Sequence, residues 1–88
     1  MTERVVTIAN RRGLHARASA KFVTLASELP GDVEVCKDGQ CVVATSIMGL
    51  MMLGAAIGDA ITIRGTGADS EEAVERLAQL VEDKFGED

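Results

Sequence analysis

The sequence predicts an α+β two-layer sandwich: a four-stranded antiparallel sheet with three helices on one face, in the order β-α-β-β-α-β-α. Three observations carry that prediction. Short β-branched runs alternate with segments whose apolar residues recur at helical spacing. Lys37-Asp38-Gly39-Gln40 contains an Asp-Gly pair, the preferred centre of a two-residue hairpin turn in which both positions need φ > 0. The length, 88 residues, suits one small domain over 1–88 and leaves no room for a second. An antiparallel sheet needs apolar cover on one face only, so the other face is expected to lie open.

The elements follow in order. Arg4-Val5-Val6-Thr7-Ile8 reads as the first strand. Gly13 breaks that pattern, and Ala18, Phe22, Leu25, Ala26 and Leu29 then form one apolar helical stripe that Pro30-Gly31 stops. Val33 to Cys36 and Cys41 to Ala44 make the hairpin strands. Ser46 is the expected N-cap of a short helix over Ile47 to Leu53, closed by Gly54. Ala60 to Arg64 supplies the fourth strand. Asp69 and Glu72 have the spacing of a capping box for the last helix, whose buried stripe is Val74, Leu77, Ala78, Val81 and Phe85.

Charge and composition exclude several function classes. Fourteen acids against nine Lys and Arg give a net charge of -5, the wrong sign for a nucleic-acid binder, which releases counterions with a basic surface. The charge is also uneven. Residues 69–88 carry eight acids and two bases, whereas Arg11, Arg12, Arg17 and Lys21 form an acid-free basic patch around the single histidine, His15. The most apolar window, Ile47 to Ile57, is eleven residues long, too short to span a bilayer. Met1-Thr2-Glu3-Arg4 leads directly into a strand without a signal-peptide pattern, so a cytoplasmic protein is expected. Cys36 and Cys41 should face each other across the hairpin, and in a reducing compartment they are expected to be free thiols.

Few motifs carry chemistry. Gly65-Thr66-Gly67 lacks the third glycine of a dinucleotide loop and reads as a flexible connection. Two cysteines and one histidine are too few for a structural zinc site, so neither metal nor cofactor is expected. Gly13-Leu14-His15-Ala16-Arg17 is different. A glycine turn places His15 at or beside a helix N-cap, where unpaired N–H groups and the macrodipole favour an anion. Arg17 adds a planar donor fork suited to a phosphoryl group. The segment can therefore bind phosphate and present an imidazole nucleophile beside it. It could equally be an ordinary polar cap.

That segment and Ser46-Ile47-Met48-Gly49-Leu50, both within so short a chain, resemble the two signatures of the HPr family, the histidine-containing phosphocarriers of the bacterial phosphotransferase system, in its sugar-transport or its nitrogen-related branch. The resemblance covers essentially the whole chain and implies the family's open-faced sandwich. It implies that His15 accepts a phosphoryl group from Enzyme I and passes it to an acceptor of the Enzyme II A type, with Arg17 stabilising the phosphate. It makes Ser46 the counterpart of the family's regulatory serine, the target of an HPr serine kinase, and Ala20, Ile47, Met48 and Met51 the docking residues of a monomeric carrier. Ala18 stands where the family usually has proline, and Arg12 where a small polar residue is common. Such a chain is a covalent intermediate and not an enzyme with turnover of its own. Of the second helix's apolar residues, Leu50 and Leu53 are expected inside, and Met48 and Met51 partly outside. Two other readings stay open: a binding module switched by phosphorylation at His15 or Ser46 without onward transfer, and a small His- or Cys-dependent enzyme.

Overall fold

The computed structural model describes residues 2–87. Strand β1 (Thr2–Thr7) leads into helix α1 (Ala16–Glu28), the hairpin β2 (Val33–Lys37) and β3 (Gln40–Val43), helix α2 (Ile47–Met52), strand β4 (Ala60–Gly65) and helix α3 (Glu71–Glu82). A 3-10 turn at Lys84–Gly86 follows. The sheet is antiparallel throughout, in the order β1-β4-β2-β3. The predicted architecture is therefore the observed one.

Local chemistry explains most of the boundaries. Asp38 and Gly39 both take positive φ (51° and 85°), as the two-residue turn requires, and this sets Cys36 directly opposite Cys41. The core lies between the helices and one sheet face, where Val35, Ile61 and Ile63 meet Phe22, Val74, Leu77 and Val81. Each such buried aliphatic or aromatic side chain contributes about 1.5–3 kcal/mol relative to exposure. Leu50 and Leu53 face inward as expected. The opposite sheet face is open and carries an ion-pair ladder, with Arg64 between Glu3 at 3.3 Å and Glu34 at 2.8 Å.

Four expectations are corrected by the structure. Cys36 and Cys41 are joined in a disulfide and are not free thiols. The expected cross-strand opposition holds, and it brings the two sulfurs within bonding reach of each other.

The last helix is capped by Ser70, not Asp69, which takes a left-handed φ of 62° outside the helix. The capping box does not form. The Ser70 hydroxyl donates to the Gly67 carbonyl at 2.7 Å, because Ser70 is packed under Gly65 and Gly31, where a Cβ on either glycine would collide with it. Thr66 donates its N–H to the Asp32 carbonyl at 2.9 Å, so the Gly65-Thr66-Gly67 connection is tied down.

Phe85 is buried, but not as part of the helical stripe, because the helix stops at Glu82. Lys84 and Phe85 take φ of 57° and 55°, which turns the chain back over the core and carries Glu87 toward the start of α1.

Candidate functional site

The loop before α1 is built so that His15 caps the helix. Gly13 has φ of 62° and approaches the Ala55 carbonyl so closely that any Cβ there would collide with it. Leu14 donates its N–H to that carbonyl at 3.0 Å and buries its side chain. His15, in extended conformation, is the N-cap residue, and Ser19 donates its N–H to the His15 carbonyl at 2.9 Å.

The two ring nitrogens of His15 have different partners. Nδ1 accepts the Arg17 backbone N–H at 3.3 Å, the role of a capping oxygen. Nε2 lies 3.0 and 3.1 Å from the two carboxylate oxygens of Glu87. Buried Asn10 donates through Nδ2 to Glu87 at 3.0 Å and to the Gly13 carbonyl at 2.9 Å. The His15 ring first, and then the Asn10 amide, hold the Glu87 carboxyl below the usual glutamate range. An open depression beside the ring is lined by Arg11, Arg12, Arg17 and Glu87. Lys21, the fourth member of the expected basic patch, donates instead to the Phe85 carbonyl at 2.8 Å and anchors the C-terminal turn.

Ser46 caps α2, its Oγ accepting the Gly49 N–H at 3.0 Å. Beyond it Ile47, Met48 and Met51 are exposed, Met48 to 68%, while Ala20 is half-buried on α1, against which α2 packs. The Leu14–Ala55 hydrogen bond ties the loop before α1 to the segment that follows α2. Met52 and Ile57, not singled out by the sequence, are exposed as well. Sequence reasoning missed Asn10 and Glu87. Glu87 lies in the acidic C-terminal stretch and is 72 positions from His15, so no local pattern marks it.

A histidine N-cap whose neighbours line an arginine-rich depression, on an open-faced sandwich, fits a small phosphoryl-carrying protein. Residues 2–83 match the family model described as the PTS HPr component phosphorylation site. The chain is 46% identical to the phosphocarrier protein HPr of Cupriavidus necator over 87 residues, 99% of this chain and 98% of that one. It is 41% identical to the phosphocarrier protein NPr of Shewanella violacea over 85 residues, 97% and 93% of the two chains. Among solved structures, HPr-C-His from Thermoanaerobacter tengcongensis superposes with a TM-score of 0.93 at 44% identity, covering 100% of this chain and 99% of that one. The chain belongs to the HPr family and is a phosphocarrier of the phosphotransferase system, not a catalytic enzyme.

Proposed function

We propose that His15 is the phosphoryl acceptor, through Nδ1, with Enzyme I as donor and an acceptor of the Enzyme II A type downstream. The observation that carries this reading is the position of Nδ1 at the N-terminus of α1, 3.3 Å from the Arg17 N–H, while Glu87, bonded to the same ring, lines an open depression with Arg11, Arg12 and Arg17. The neutral nitrogen attacks the phosphorus of the donor's phosphohistidine. As the N–P bond forms, the phosphoryl oxygens take up the helix N–H groups and the Arg17 fork in place of the lone pair. Little covalent work is asked of the protein, so positioning and electrostatics dominate. The open depression suits a group that must be handed on.

Ile47, Met48, Met51 and Ala20 form the docking surface in this reading, methionine being suited to a face that meets more than one partner. Ser46 adds a regulatory site to its capping role, as a target of an HPr serine kinase: a phosphate there would lie among apolar docking residues that a partner has to desolvate. The carrier acts as a cytoplasmic monomer. No helix among the described residues is long and apolar enough to cross a membrane.

Incubation with Enzyme I and phosphoenolpyruvate, followed by mapping of the acid-labile phosphate, tests the central assignment. The expected result is one labelled residue, His15. Label elsewhere overturns it.

A further inference from the structure

We propose that Cys36 and Cys41 form a reversible thiol–disulfide exchange site, opened by a low-molecular-weight thiol at Cys41 and closed again by the corresponding small disulfide. The site shares no residue with the surroundings of His15 and stands independently of the acceptor assignment. In the opening step the thiolate of the small molecule attacks Cys41 Sγ, and the S–S bond breaks with its electron pair going to Cys36 Sγ. Cys36 then takes a proton from water. A second small thiolate attacks the small molecule's sulfur in the mixed disulfide, which releases Cys41 as a thiolate and a disulfide of two small molecules. Two small thiols are thereby oxidised and the protein bond is reduced. The reverse sequence closes it.

Position makes the two sulfurs unequal. Cys36 alternates with inward Val35 on β2, so it lies on the open sheet face with Glu34, paired on one side with Cys41 and on the other with Thr62. That central place leaves it 8% exposed, whereas Cys41 on the edge strand β3 is exposed. Both cysteines line an open depression with Lys37, Asp38, Thr62 and Arg64. An attacking thiolate therefore meets Cys41 first, and an accessible disulfide is the kind that exchanges.

Both redox states fit the fold. The hairpin register is held by the backbone ladder and by the Asp38-Gly39 turn, neither of which depends on the sulfurs. The bond spans a sequence separation of 5, so it restricts the unfolded chain less than a long-range bond would. The Cys36 thiol released by opening has an acceptor in place, because Glu34 Oε1 lies 4.0 Å from its sulfur. Arg64 donates to that same oxygen at 2.8 Å, so the carboxylate's charge is already matched beside the new thiol.

The test equilibrates the full chain with mixtures of reduced and oxidised glutathione, quenches with acid, alkylates the free thiols and counts them by mass. Circular dichroism at each ratio reports the fold. The expected result is one reversible transition between the closed pair and two free thiols, reached at the same ratio from either side, with a folded domain at both ends. Cys36→Ser and Cys41→Ser proteins each present one remaining thiol to oxidised glutathione, and Cys41 should form its mixed disulfide about tenfold faster than Cys36. A bond that reduced glutathione opens only in denaturant is a permanent staple and overturns the proposal. A pair that stays reduced in oxidised glutathione, or a domain that unfolds on opening, overturns it as well. Equal rates in the two folded variants overturn the assignment of Cys41 as the attacked sulfur.

Discussion

The starts of α1 and α2 are two solutions to the same problem. His15 and Ser46 both sit in extended backbone and both accept an orphan backbone N–H through the side chain, at 3.3 and 3.0 Å. Their surroundings differ. Glu87 bonds the His15 ring and lines a depression with Arg11, Arg12 and Arg17, and the helix that follows has 13 residues. Ser46 opens a helix of six residues within a stretch, Gln40 to Gly58, that contains no charged residue. A helix cap alone therefore does not make a phosphoryl-transfer site. In the proposed function the first cap combines a nucleophile, cations for the phosphate and a carboxylate for the ring. The second offers a hydroxyl amid exposed apolar residues, where, in the same reading, added charge would act on docking and not on transfer chemistry.

The sharpest break of this contrast is His15→Ala, which should abolish acid-labile phosphorylation by Enzyme I completely. The cost in stability should stay near the value of one lost cap, about 1 kcal/mol, measurable by denaturant unfolding. Retained acid-labile label in the folded variant would erase the distinction between the two caps.

Arg17→Ala comes next. Transfer should slow by about ten- to a hundredfold without vanishing, because the helix N–H groups remain to hold the phosphate. Stopped-flow or quench measurements with Enzyme I give the rate, and an unchanged one would reduce Arg17 to surface charge.

At the other cap, Ser46→Asp keeps a capping oxygen and adds charge beside Ile47 and Met48. Its melting temperature should stay within about 3 °C of wild type while phosphorylation at His15 slows by about tenfold. Wild-type kinetics would leave Ser46 as a helix cap only.

The smallest effect is expected from acid. Because the Glu87 carboxyl is held below the usual glutamate range, mainly by the His15 ring and then by Asn10, its ionised form is favoured by folding. That contribution is fully present above the unfolded value, about pH 4, and is lost as pH falls through the lowered folded one. The stability of Glu87→Gln should therefore converge on wild type as pH drops from 7 toward 3, in paired thermal melts. A difference that widened toward acid would contradict the sign.

Legibility followed the range of the interactions. The helix over Ala16–Glu28, the Asp38-Gly39 turn and the Ser46 cap were readable because each depends on residues within a few positions of one another. The inward Leu50 and Leu53 and outward Met48 and Met51 were readable from the need of a short helix to bury one face. The start of the last helix was misread because Asp69 has the right spacing for a capping box, while tertiary packing of Ser70 beneath Gly65 and Gly31 turned its hydroxyl to Gly67 instead. Phe85 was assigned the right environment on the wrong element, since hydrophobicity predicts burial but not the left-handed turn that achieves it.

By itself, then, the sequence determined the element order, the antiparallel hairpin, and a histidine and a serine at two helix starts beside an arginine-rich segment and an apolar one. These are consequences of backbone preference and periodicity, which act over a turn or two of chain. The opposition of Cys36 and Cys41 was also legible from the turn, though their bond was not, and only the tertiary structure decided that Glu87 rather than any nearer acid reaches His15. The physical reason is distance along the chain. A contact across 72 positions exists only after Phe85 has found the core and Lys21 and Asn10 have secured the turn and the carboxylate beyond it.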